Sequence, residues 1–366
     1  MWFCGANRPA SSPAERLINL TRRQRFLWIF VSAAAALHCM ACSRGAAPFS
    51  STASGTAGAV SPARAAQSPA DPAPPASQTG GFDGQKAYDF TAKVVSLGPR
   101  PPASDAIHRA QEYIRAQLQG FSCQVEEDDF HASTPVGDVA MKNIVAKTPA
   151  PAGSSSQKGI ILLLTHYDTV RKESREYHPT GPGDFVGAVD AGSSTGLTLE
   201  IARVLCPQKP AGNSVWMAFV DGEEAFVDWN TDNDNTYGSR QLAARMNASG
   251  DLKRIRAVIL EDMVGPANLK LKREANSTPW LADLVWKTAA RLGYKDSFVS
   301  EKAAAISDDH LSFTHRGVAA VDIIDLNDYS YWHTEQDTID KVSPRSLAIV
   351  GHVTLETIAE LQKNSR

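Results

Sequence analysis

The stretch Ile160-Ile-Leu-Leu-Leu164-Thr-His166-Tyr-Asp168 decides how the rest of the chain reads. Five apolar residues in a row have the length and character of a strand buried on both faces, since a strand with one face in water would alternate apolar and polar side chains. The polar residues that follow mark its carboxyl end. Downstream, helical and extended patterns alternate: helix over 193–205, strand over 214–220, helix over 238–246, strand over 257–263, helix over 280–292, strand over 318–324 and helix over 344–361. Upstream, Tyr88, Val94, Val95 and Leu97 predict one helix. Ile107, Ala110, Tyr113, Ile114 and Leu118 predict another, starting near Ser104 and closed by Gly120. Extended runs at 122–130 and 139–146 read as a hairpin or meander. Repeated strand–helix alternation predicts an α/β three-layer sandwich with a mixed, mostly parallel central sheet flanked by helices.

The N-terminal quarter has a different texture. Residues 1–42 carry Arg8, Arg16, Arg22, Arg23 and Arg25 against one acid, Glu15, and then a short apolar run from Phe26 to Leu37. A membrane-spanning helix needs ~20 apolar residues, so this run reads as the core of a signal peptide. It leads to Cys39-Met-Ala-Cys42-Ser43, similar to a bacterial lipoprotein box, with Cys42 the candidate lipidated residue; the other reading is a leader that is cleaved away with its cysteines. From Ser43 to Gly80, 28 of 38 residues are Ala, Pro, Ser or Gly, too few sizeable apolar groups to offset the cost of ordering. The expected organisation is therefore leader (1–42), tether (43–81) and one folded domain (82–366), exported to the periplasm or the cell exterior and touching a membrane only through a lipid anchor.

The whole chain of 366 residues has 37 Lys+Arg against 40 Asp+Glu, a net charge of −3. Without the leader the balance is 32 to 39, a net −7. Neither figure gives the basic footprint that nucleic-acid binding requires. Five cysteines are too few for a disulfide scaffold. Only Cys123 and Cys206 follow the leader, and spacing alone leaves open whether they pair or stay as buried thiols.

In mostly parallel sheets, ligand-binding groups gather beyond the carboxyl ends of strands. The acids and histidines of this chain fall there. His166 and Asp168 follow the first buried strand; Asp221-Gly-Glu223-Glu224 follows the strand at 214–220; Glu261-Asp262 closes the strand at 257–263; Trp332-His333-Thr334 lies beyond the last strand. Asp190, in Gly187-Ala-Val-Asp190-Ala-Gly192, precedes a helix. Taken singly, such residues are more often hydrogen-bonded structural histidines, solvated acids or helix caps. Gathered on one edge of one sheet, they form a donor set suited to zinc.

These motifs together resemble peptidase family M28, the zinc aminopeptidase clan, from Leu97-Gly-Pro-Arg-Pro-Pro102 to the last helix, with the zinc aminopeptidase/phosphorylase-hydrolase-like fold that this implies. The stretch Glu223-Glu-Ala-Phe-Val-Asp-Trp229, the Asn/Asp-rich run before Tyr237, Asp262-Met-Val-Gly-Pro266, Ser307-Asp308-Asp309-His310 and Trp332-His333 are similar to the animal-type glutaminyl-peptide cyclotransferases (glutaminyl cyclases) within that clan. The resemblance implies zinc held by Asp190, Glu224 and His333, and Glu223 as general acid/base. It implies Asp262 and Asp308 in an acidic network at the substrate amine, and Trp229 and Trp332 as walls for the glutamine side chain. His166, with Asp168 behind it, occupies a position that binds a second zinc in the aminopeptidases. Ser307 departs from the longer polar residue of the animal enzymes. Their disulfide between the strand before His166 and the helix after Asp190 has no counterpart, because Thr165 and a Ser/Ser/Thr run stand there.

The implied reaction is cyclisation of an N-terminal glutamine of a peptide or protein to pyroglutamate with loss of ammonia. The metal's part would be to polarise the side-chain amide, and a neighbouring carboxylate would move the amine's proton to the leaving nitrogen. Aromatic walls would fold the side chain back and exclude water. The alternative is an aminopeptidase with one or two zincs, since His166, Asp190, Glu224, Asp262 and His333 supply both ligand sets. A binding protein on the same scaffold would be expected to have lost the base or a ligand, and all are present. A monomeric catalytic domain is expected.

Overall fold

The structure, a computed structural model, describes residues 72–149, 159–208, 212–231, 233–327 and 330–363. The leader, Cys42 and most of the tether lie outside the described residues. Among those described, no helix is long and apolar enough to cross a membrane.

Six strands form the main sheet. In chain order they are β1 (Gln124–Thr134), β2 (Gly137–Lys147), β3 (Ile160–His166), β4 (Ser214–Val220) and β5 (Ile255–Asp262), with β8 (Ala320–Ile324) at the far edge. Their spatial order is β1-β2-β4-β3-β5-β8. The β1–β2 hairpin and the β2–β4 pair are antiparallel, and β4, β3, β5 and β8 run parallel. The predicted mixed, mostly parallel sheet is thus the one observed, and β3, buried at every residue, lies inside it. The hairpin strands run further than their expected ranges because only Pro135 and Val136 separate them and pairing continues to Thr134↔Gly137. A two-stranded sheet of β6 (Leu271–Arg273) and β7 (Phe298–Lys302) was not anticipated, since a three-residue strand gives no alternation to read.

The period-2 pleat divides the core into two faces. Ile161, Leu163, Met217, Phe219 and Ile259 join the apolar side of α1 (Gly84–Val95), α2 (Asp105–Gly120), α3 (Ser194–Leu205), α5 (Pro279–Arg291) and α7 (Pro344–Lys363). Ile160, Leu162, Leu164, Ala218 and Leu260 face α4 (Tyr237–Ser249) and the short α6 (Leu311–Thr314), through Leu242, Ala243, Met246 and Phe313. This is the three-layer arrangement. Local sequence sets the helix starts: the Asp83 carboxylate accepts the Gln85 and Lys86 N–H groups, and the Ser104 hydroxyl accepts that of Ile107. α7 keeps a mid-helix glycine because the Phe82 ring lies where a Cβ on Gly351 would be, 2.3 Å away.

Packing onto the domain reaches upstream of Phe82. Ala76–Gln78 form a 3-10 turn, Thr79 is buried, and Arg203 donates to the Gly81 carbonyl at 3.0 Å. Cys123, just before β1, is disulfide-bonded to Cys206, just after α3, with Cα atoms 5.1 Å apart. The edge hairpin is thereby tied to the end of α3 in a flanking helix layer.

Candidate active site

The sheet's carboxyl edge gathers the chemistry. His166 is the last residue of β3 and Asp262 the last of β5; Glu223 and Glu224 follow β4, and His333 follows β8. Asp190 lies in an irregular turn over Ala188–Ser193, with a cis Asp190–Ala191 peptide, ahead of α3. Two features hold that turn. Gly187 has φ +53, and a Cβ there would meet the Asp190 carbonyl at 2.1 Å, so only glycine fits. The Asp337 carboxylate accepts the Val189 and Asp190 N–H groups at 2.8 and 3.1 Å. The buried Arg100 adds hydrogen bonds to the Val186 and Gly187 carbonyls.

Asp190 stands at the centre of two triads. Its Oδ2 is 3.2 Å from His333 Nε2, and Glu224 Oε1 is 3.1 Å from the same nitrogen. Its Oδ1 is 3.1 Å from His166 Nε2, which is 3.3 Å from Asp262 Oδ1. Both sets, Asp190–Glu224–His333 and His166–Asp190–Asp262, are buried and could each enclose one ion. The first set fits zinc closely. Ligand atoms around tetrahedral zinc are ~3.3 Å apart, and Glu224 Oε2 is buried with no hydrogen-bond partner. His333 is also in the required tautomer: Nδ1–H donates to the Glu176 carbonyl at 2.9 Å, which turns the Nε2 lone pair towards the acids. Asp168 supports the adjoining turn by accepting the Glu223 and Glu224 N–H groups at 3.2 and 3.3 Å.

Burial dominates the electrostatics. It pushes the Glu223 carboxyl well above its ordinary range; Glu224, Asp308 and Asp309 add to this, while His166 opposes it. Glu224 is raised to about 7, mainly by burial. Asp262 is raised by burial and by Asp190, and Asp308 well above its ordinary value by burial, Asp262 and Asp309. Burial alone would lower both histidines, but the acids around them outweigh it and hold both well above the usual range. Glu223 Oε2 lies 3.8 Å from His166 Nδ1, outside the Asp190–Glu224–His333 set.

Of the aromatic residues singled out from sequence, Trp332 stacks on His333 at 3.9 Å between centroids. Trp229 is joined to the cluster through Glu176, whose Oε1 accepts its N–H at 2.9 Å. Glu176, Asp337 and Arg100 had been given no role. A further buried set, Glu274, His310 and Asp322, lies behind Asp308, with His310 3.5 Å from Glu274 and 3.8 Å from Asp322. His310 was visible in the Ser307–His310 motif; Glu274 and Asp322 carried no signal.

The sequence model of peptidase family M28 matches residues 143–358. A glutaminyl-peptide cyclotransferase-like protein of Mus musculus is 29% identical over 286 residues, covering 71% of this chain and 72% of its own length. The crystal structure of a glutaminyl cyclase from an Acidobacteriales bacterium superposes with a TM-score of 0.69 at 36% identity, covering 82% of this chain and all of that one. A Zn-dependent exopeptidase from Parabacteroides distasonis superposes with a TM-score of 0.66 at 28% identity, covering 76% of this chain and 98% of its own.

Proposed function

The chain belongs to peptidase family M28, and from that membership and the site's geometry we propose that it cyclises the N-terminal glutamine of peptides to pyroglutamate, releasing ammonia. The observation that carries this reading is the 36% identity to a glutaminyl cyclase over the whole of that chain, joined to a buried Glu223 beside, but outside, the Asp190–Glu224–His333 set.

Asp190, Glu224 and His333 would hold zinc, which supplies Lewis acidity towards the side-chain amide oxygen. Glu223 takes a proton from the α-amine as it attacks the Cδ amide carbon. The C–N bond to the side-chain nitrogen breaks, and Glu223 delivers the proton to that nitrogen as ammonia leaves. Asp262 and Asp308 hold the amine in place. Trp332, flat against His333, and Trp229 form walls that keep the folded side chain dry, so that the substrate's own amine reacts in place of water. Export as a periplasmic or extracellular protein, anchored through Cys42, completes the reading; the Cys123–Cys206 disulfide supports it, because such bonds persist in oxidising compartments.

One observation favours a second reading, a two-zinc aminopeptidase: His166 Nε2 lies 3.1 Å from the other oxygen of Asp190 and 3.3 Å from Asp262 Oδ1, and the three could enclose an ion of their own. The deciding experiment gives purified enzyme a Gln-initiated dipeptide and a Leu-initiated chromogenic substrate, and measures ammonia and amine release separately. Cyclisation requires ammonia from the first. Leu hydrolysis without ammonia would replace the cyclase with the aminopeptidase.

A further inference from the structure

Between Val170 and Phe185 the chain makes a polar loop without regular secondary structure, and its middle is clasped from two sides. On one side it holds the stretch that ends in Trp229. Arg175 N–H donates to the Val227 carbonyl at 2.8 Å, and the Glu176 carboxylate accepts the Trp229 N–H at 2.9 Å. On the other side it holds His333: the Glu176 carbonyl accepts the imidazole Nδ1–H at 2.9 Å, and His178 N–H donates to the His333 carbonyl at 2.9 Å. Glu176 therefore grips one wall through its side chain and the other through its main chain.

The division of labour around Trp229 makes this consequential. The Asp234 carboxylate accepts the N–H groups of Phe226, Val227 and Asp228. The turn is thus self-held as far as Asp228, and the next amide, that of Trp229, goes to Glu176. Asn235 Nδ2 donates to the Trp229 carbonyl at 3.1 Å, so loss of the Glu176 carboxylate would free the Trp229 N–H side of the turn while leaving the Asp234-held amides and the His333 hydrogen bond intact, since the latter is to a backbone carbonyl that every residue carries.

We propose that Glu176 is a positioning residue for substrate selection: it fixes Trp229 at a set distance from His333, so that the aromatic wall and the metal-binding edge form one rigid cleft. The proposal rests on the cyclase reading for the identity of the substrate, as does the kinetic arm of its test; the hydrogen-exchange arm does not. In the full-length, zinc-loaded protein, Glu176→Ala should raise KM for a Gln-initiated dipeptide about tenfold, the loss of one hydrogen bond to a charged acceptor, with kcat within about threefold and zinc content unchanged. Glu176→Gln, whose amide oxygen still accepts the Trp229 N–H, should restore KM to within about twofold. Hydrogen-exchange mass spectrometry over residues 226–236 gives a reading independent of turnover: exchange at Trp229 should accelerate in Glu176→Ala and not in Glu176→Gln. Unchanged exchange in Glu176→Ala, equal effects of the two substitutions, or loss of zinc in Glu176→Ala would each overturn the proposal. Absence of ammonia from the wild-type protein would instead sink the cyclase reading and leave the exchange result to decide the role of Glu176.

Discussion

Breaking the Cys123–Cys206 bond should cost the fold several kcal/mol, and the magnitude follows from topology. The two cysteines are 83 residues apart in sequence. In the chain-entropy view, closing a loop of that length restricts the unfolded chain by about 4.5 kcal/mol at 25 °C. With roughly 280 described residues and an unfolding entropy of about 2.1 cal/mol/K for each, that loss lowers Tm by about 8 °C. Thermal unfolding followed by circular dichroism, at fixed metal concentration, should show this shift when the wild-type protein is reduced with a phosphine. Cys123→Ala/Cys206→Ala should fall slightly further, because the buried Cys206 sulfur also leaves a gap. Both arms are needed, since the first removes only the cross-link and the second also removes packing. A fall below about 2 °C on reduction, or two reactive thiols at these positions in native protein purified without reductant, would refute the reasoning.

Two further outcomes are expected. Glu223→Gln should retain one zinc per chain, measured by elemental analysis, and lose activity by about 10²- to 10⁴-fold; loss of metal in that variant would mean that Glu223 and Glu224 had exchanged roles, and removing zinc with a chelator should abolish turnover of the wild type. Asp322→Asn should alter how stability depends on pH. Burial, followed by the charges of Asp308, Asp262, Glu274 and Asp309, holds the Asp322 carboxyl well above its ordinary value in the fold. The unfolded chain gives up that proton near pH 4, so native stability declines as pH rises from about 4 towards the raised value, by up to about 1.4 kcal/mol per unit. The Asn variant lacks that decline, and urea titrations between pH 5 and 8 should show its stability gaining on the wild type as pH rises; parallel curves would exclude a protonated Asp322.

What could be read from the sequence and what could not divide along a physical line. β3 was legible because burial on both faces forces a continuous apolar run, its neighbours by apolar runs of their own, and the site because an acid closes or directly follows each of those neighbours at the sheet's carboxyl edge. His166, Glu223, Glu224 and Asp262 bring their own side chains to the candidate site at or just after strand ends, so residue type and position both carried information. Glu176 acts on His333 through a backbone carbonyl, and Asp337 on Asp190 through backbone N–H groups. Neither kind of contact leaves a mark that residue type reveals, and both residues sit in irregular loops. Asp322 was hidden for the opposite reason. It lies inside an apolar strand between Val321 and Ile323, where the surrounding pattern reads as core and one acid reads as an exception.

The cysteines make the same point with a sharper consequence. Sequence separation says nothing about proximity; the fold brings the residue before β1 and the residue after α3 to a Cα–Cα distance of 5.1 Å. The cross-link is nevertheless tied to the site. α3 follows directly on the turn that holds Asp190, and β2, hydrogen-bonded to β1 along its whole length, pairs with the strand that delivers Glu223 and Glu224. One covalent bond therefore closes a circuit through two elements that present ligands of the same candidate centre. Strain or loosening at the edge hairpin has a short path, through Asn143, to the segment after β4: the Asn143 side chain accepts the Asp221 N–H at 3.2 Å and donates to the Gly238 carbonyl at 3.0 Å. Stability and metal affinity should on this argument fall together when the disulfide is reduced. Unchanged zinc retention in a reduced protein whose Tm has dropped by the expected amount, about 8 °C, would show that the two are separable.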